Sequence, residues 1–157
     1  MKPKQTFTLL EARQELAKQS NQRFWDLLET SNRTSTEDEE LLLAAYASIY
    51  LWKEVGTAVH TQRGYWLVAR AYISLHQADD AISWAEKCLK ITEKNPEEME
   101  DFDLAYAQES LARAYAKMRK IGRYSGVISR VVTGTSYTPN RDPPGQHLPS
   151  SSKSLLN

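Results

Sequence analysis

Ala69-Arg70-Ala71-Tyr72 returns as Ala112-Arg113-Ala114-Tyr115, each copy set mid-helix in a pattern of small and aromatic residues. After the first copy the chain turns and enters a second apolar-periodic segment, Ala81-Ile82-Ser83-Trp84-Ala85-Glu86-Lys87-Cys88-Leu89. One helical hairpin cannot bury its own apolar face, so a recurring hairpin implies a stack in which neighbours cover each other. The expected fold is all-α, with antiparallel helix hairpins stacked as a short α-solenoid.

Outward from this repeat, Thr8-Leu9-Leu10-Glu11 has the spacing of a capping box and opens helix one. Its apolar positions Leu9, Ala12, Leu16, Phe24, Leu27 and Leu28 keep helical spacing, apart from a polar middle at Gln19 to Gln22 that reads as a weak point or exposed turn. A polar connector, Ser31 to Ser35, leads to Thr36-Glu37-Asp38-Glu39, which repeats the box and opens a strongly apolar helix two ending near Gly56. Helix three is expected from Val59–Gln62 to His76. Gln77 to Asp80 makes the turn into helix four, which reaches Lys94. Asn95-Pro96-Glu97-Glu98 offers a cap and first-turn proline, while Asp101 and Asp103 offer later starts for helix five, so one long helix or two pieces both fit. Helix five carries Leu104, Ala107, Leu111, Ala112, Tyr115 and Met118 on one face.

Beyond Met118, Gly122 to Ile128 reads as a short, glycine-interrupted sixth helix. Four of the six prolines lie between Pro139 and Pro149, mixed with Ser, Thr and Gly. Such a composition buries too little apolar area to offset its ordering entropy. The expected division is a helical domain over 1–132, with repeats at about 59–95 and 96–132, and a disordered tail over 133–157.

At 157 residues and 41% hydrophobic content the chain has material for one core of several helices. The 20 basic and 20 acidic side chains cancel overall. Residues 1–116 hold 13 basic and 19 acidic groups, whereas residues 117–157 hold 7 and 1, so an acidic body is followed by a basic tail. The balanced total argues against a nucleic-acid partner. There is no long apolar run, hence no expected membrane span or signal peptide, and the cytoplasm is the default compartment. The single cysteine, Cys88, allows no internal disulfide and falls on an apolar helix side as a small core residue.

Residues 65–91 resemble the tetratricopeptide repeat family. Tyr65, Val68, Ala69 and Tyr72 match the family's large, large, small and aromatic positions of the first helix, and Ala81, Ala85 and Cys88 match the small and medium positions of the second. Leu111, Ala112 and Tyr115 repeat the match. The copies stand 43 residues apart against the family's usual 34, and Glu93 occupies the usual proline position, with Pro96 three places late. More narrowly, Tyr50 to Thr57, Arg63 to Trp66 and Asp101 to Ala107 are similar to a group of small uncharacterised bacterial repeat proteins without an assigned activity.

The resemblance implies that the first helix of each hairpin lines a concave surface. Its outward positions are Arg63, Trp66 and Arg70 in one unit and Tyr106, Glu109 and Arg113 in the next. Side by side, Arg70 and Arg113 form a guanidinium pair with aromatic company, suited to a carboxylate, a phosphate or an acidic peptide. The plainer reading has these arginines salt-bridged to Glu109, Asp103 or a helix-two carboxylate, and Trp52 and Trp66 buried in the core. The family's grip on a C-terminal carboxylate uses Lys and Asn where this chain has Trp66 and Arg70, so that ligand is not implied.

Catalytic patterns do not emerge. His60, His76 and His147 lack companions at metal-ligand spacing, and neither a nucleophile elbow nor a phosphate-cradling loop is present. His60 reads as a cap-region residue at a helix start. The expectation is a noncatalytic module, without cofactor or metal, that binds a peptide or partner helix in the groove and self-associates through an open solenoid end. The rival is a sensor or enzyme for a small anionic metabolite, with Trp52, His60, Arg70 and Arg113 in a pocket between helices two, three and five.

Overall fold

The computed structural model describes residues 6–119, and the sixth helix and proline-rich tail expected beyond Met118 lie outside them. Five α-helices follow one another among the described residues: α1 (Leu9–Glu29), α2 (Ser35–Val55), α3 (Ala58–Ser74), α4 (Ala78–Lys94) and α5 (Asp101–Arg119). Each packs on the next, and α3 also touches α5, so the hairpins α1/α2 and α3/α4 stack and α5 begins a third layer. The all-α hairpin stack expected from the repeat is present. No helix among the described residues is long and apolar enough to cross a membrane.

The local starts follow from side chains that satisfy free backbone N–H groups. At α1, the Thr8 N–H donates to Glu11 at 2.8 Å while the Glu11 N–H donates to Thr8 Oγ1 at 3.2 Å. At α2 the box is made by Thr34 and Glu37, not by Thr36 two residues later. Arg33 explains the shift: its guanidinium donates to the Leu27 and Leu28 carbonyls at the end of α1 and to Asp38 in the first turn of α2. That clamp shortens the connector and draws the helix start forward.

The polar middle of α1 is neither weak nor a turn. Gln19 donates to Glu15 and Gln22 to Asp26 across single helical turns, and Asn21 is buried, so the helix runs through unbroken. Helix α4 likewise starts before the expected turn is over, at Ala78. After Lys94 the chain takes the two-piece option: Pro96–Glu98 is a 3₁₀ turn, and α5 begins separately at Asp101. The reason is Asp103, whose carboxylate takes the Glu100 N–H at 2.9 Å and caps a fresh helix.

Alanines and one glycine set the close approaches. Ala69 packs with Ala85, Leu111 and Tyr115, and Ala81 with Ile73 and Ala114, where α3, α4 and α5 meet. Gly64 lies against Ile49 of α2, where a Cβ would come within 2.8 Å of the isoleucine side chain. Cys88 is fully buried as expected, and burial pushes its thiol up to about 12. Leu104 and Ala112, expected on the common face of α5, are 43% exposed and partly buried, respectively; Asp103 and Ala114 are the buried residues at those turns.

The two copies of Ala-Arg-Ala-Tyr behave alike in space. Tyr72 on α3 reaches back to Tyr46 of α2 at 2.8 Å, and Tyr115 on α5 reaches back to Glu86 of α4 at 3.1 Å. Each repeat tyrosine therefore ties its helix to the one before it.

Candidate functional site

The odd-numbered helices share an aromatic row. Trp25 on α1 lies 5.9 Å from Trp66 on α3, Trp66 lies 5.9 Å from Tyr106 on α5, and Tyr106 lies 5.5 Å from Phe102. Tilted rings at such separations attract beyond their area alone. Trp25 and Phe102 were not among the expected groove residues. Trp25 sits beside Phe24 in the apolar pattern of α1, but only packing shows that its ring meets α3.

All six expected groove residues lie on α3 and α5, yet they do different things. Arg63 is tied to the buried Asp103 carboxylate, with Nε donating at 3.1 Å and Nη2 at 3.3 Å, while its guanidinium covers the Phe102 ring at 5.3 Å. Gln62 donates to the Asp103 carbonyl at 3.2 Å. This cluster joins the second turn of α3 to the first turn of α5. Arg63 is thus a structural strut rather than an open contact residue. Trp66, buried beneath the surface, belongs to the floor and not to the lining.

Arg113 pairs with Glu109 on its own helix. The salt-bridge reading therefore holds for Arg113, and Asp103 is taken by Arg63. Arg70 has neither. Its guanidinium lies over the Trp66 ring at 5.5 Å, and its buried Nε finds no acceptor among the described residues. The Trp66 and Trp25 indole N–H groups are likewise buried without an acceptor. Burial first, and the charge of Arg113 second, hold Arg70 well below the ordinary arginine range, at about 10.

The spatial register explains why these arginines approach without stacking. Arg63 meets Asp103, and Trp66 meets Tyr106, each 40 positions on, whereas the repeated tetrapeptides are 43 apart. Arg113 therefore sits about three residues, or roughly 4.5 Å, further along its helix than Arg70 along α3. Two guanidinium groups from different helices thus lie near each other, one of them paired with Glu109, and guanidinium chemistry suits a carboxylate or phosphate.

Trp52 and His60 form a separate pair. Their rings stack at 4.2 Å, and His60 Nδ1 accepts the Thr57 N–H at 3.2 Å, closing the start of α3 as a cap-region histidine. Desolvation first, then nearby Arg63, lower the His60 pKa, which keeps the ring neutral and able to accept. His60 precedes Arg70 by ten residues of one helix, about 15 Å. The structure does not gather Trp52, His60, Arg70 and Arg113 into one pocket.

Among the described residues no group of three or more His, Cys, Asp or Glu side chains is placed to hold a metal ion. Compared with known proteins, the chain matches no family model, no curated protein and no solved structure.

Proposed function

We propose that this chain is a noncatalytic interaction module whose α3/α5 face takes an acidic peptide or partner helix. The single observation that carries the reading is Arg70: a partly buried guanidinium with no carboxylate partner among the described residues, beside Arg113 and above Trp66. A buried cation left unpaired costs stability, and an incoming anion removes that cost at the moment of binding. A guanidinium offers donors only, so what Arg70 lacks is an acceptor that carries negative charge. An acidic side chain supplies the countercharge, and the accessible α5 aromatics Phe102 and Tyr106, seated on the buried Trp66, offer apolar contact to a bound segment. The small-and-aromatic repeat and the stacked hairpins agree with the resemblance to tetratricopeptide repeats.

A thermal-shift titration with Asp/Glu-rich peptides and, separately, with small anionic metabolites tests this on the wild type, Arg70→Ala and Arg113→Ala. The expected result is a salt-sensitive rise in Tm with peptide that both substitutions abolish. A rise with a metabolite alone replaces the module with a small-molecule sensor, and no shift with either class overturns the reading.

A further inference from the structure

Among the described residues, the first hairpin has a long face that no other helix covers. On α1, Leu9, Arg13, Leu16, Ser20 and Arg23 are spaced by four and three residues in turn. On α2, Glu40, Leu43, Ala47, Tyr50 and Glu54 are spaced by three and four. Each set is one stripe of its helix. The stripes are joined edge to edge by two ion pairs, Arg13–Glu54 at 3.9 Å and Arg23–Glu40 at 2.6 Å. Between those pairs Leu16, Leu43 and Tyr50 stand 51%, 61% and 68% exposed. The middle of the face is low, because Ser20 and Ala47 are small.

Large apolar side chains framed by charge, around a centre of small residues, suit a helix pair that receives another helix pair. We infer that this face binds the same face of a second copy of the chain, in a twofold arrangement whose axis runs parallel to α1 and α2. The choice of a second copy rests on charge. Each stripe has one sign of charge, basic on α1 and acidic on α2, so the face is self-complementary. With the axis parallel to the helices, α1 of one copy lies on α2 of the other. Arg13 then meets Glu54 and Arg23 meets Glu40 across the interface, with Leu16 over Tyr50. With the axis across the helices, α1 would lie on α1, Arg13 on Arg23 and Glu54 on Glu40. Like charges reject that alternative. The favoured arrangement is a four-helix layer in which every neighbour is antiparallel.

The size agrees. Two 21-residue helices are about 31 Å long and about 10 Å apart. Together they give each copy a face of roughly 600 Å², so the pair buries about 1,200 Å², the lower end of specific interfaces. The inference is independent of the groove on α3 and α5.

Sedimentation velocity on the full chain, with circular dichroism to confirm folding, tests it. The wild type is expected to sediment at twice its 17.9 kDa as concentration rises, and Leu43→Glu is expected to be a folded monomer. The charges test the axis. Swapping one pair, R13E/E54R, preserves every contact of the proposed dimer and keeps it. R13E/E40R puts like charges together at both ends and abolishes it, although the transverse arrangement would be strengthened. A wild-type monomer, a dimer indifferent to Leu43→Glu, or a dimer that survives R13E/E40R each overturns the inference.

Discussion

Asp103 and Arg63 lock the first turn of α5 to the second turn of α3: the carboxylate, only 2% exposed, receives two guanidinium N–H groups while it also caps its own helix through the Glu100 N–H. Removing one partner of such a pair leaves a buried charge unmatched, which costs about 3 kcal/mol or more. Asp103→Ala is expected to lose that amount in urea denaturation, and to lose more than Arg63→Ala, because only the former also strips the helix cap. Equal, small losses for both substitutions would show that the strut is unimportant.

Arg70 is predicted to behave in the opposite way. It has no ion-pair partner among the described residues, and its charge is desolvated and faces Arg113. Arg70→Met keeps the packing over Trp66 and discards the charge, so it is expected to raise the stability of the unliganded protein by about 1 kcal/mol, or roughly 4 °C in Tm. A clear fall in Tm would mean that the arginine is satisfied after all, and the anion site would lose its physical basis.

His60 sets an acid-side dependence. Its folded pKa is lowered, so in the folded protein the neutral ring is favoured, accepting the Thr57 N–H and stacking on Trp52. As pH falls below about 6.5 the unfolded chain takes up the proton first. Stability present above that pH is then lost progressively until the folded pKa is passed. The lowered carboxylates Glu11, Glu37 and Glu40 act further down, below their ordinary value of 4.5. Urea midpoints between pH 7 and 5 are expected to decline in the wild type and to stay level in His60→Asn, whose amide oxygen replaces Nδ1 as acceptor; parallel curves would rule out the histidine.

The start of α2 gives a cleaner comparison. Thr34 makes the capping box with Glu37, whereas Thr36 is exposed in the first turn. Thr34→Ala is expected to cost about 1 kcal/mol and Thr36→Ala almost nothing. The reverse order, read from thermal melts, would restore the later helix start.

At the α2/α3 crossing, Gly64→Ala adds a methyl within 2.8 Å of Ile49. Alanine favours helix by about 1 kcal/mol over glycine. Overpacking outweighs that gain, for a net loss of about 1–2 kcal/mol. A stabilised variant would show that the helices separate freely there.

The sequence by itself determined the elements and their stacking. Spacing of small and aromatic residues is a property of one helix, and Thr8–Glu11 capping is complete within four residues, so both can be read along the chain. That the expected groove residues fall on α3 and α5 was also legible, because the repeat places Arg70 and Arg113 on equivalent helices. Only the tertiary structure decided what each one does. Whether an arginine is a strut, a local pair or an unmatched charge depends on which carboxylates other helices bring near. Asp103 reaches Arg63 across 40 positions and Glu109 holds Arg113, while Arg70 receives neither. The same applies to the capping box: Thr34 and Thr36 both precede acidic residues, and the choice fell to Arg33, which folds back onto the end of α1. Electrostatic partners are set by distance in space, and that distance exists only once the helices have packed.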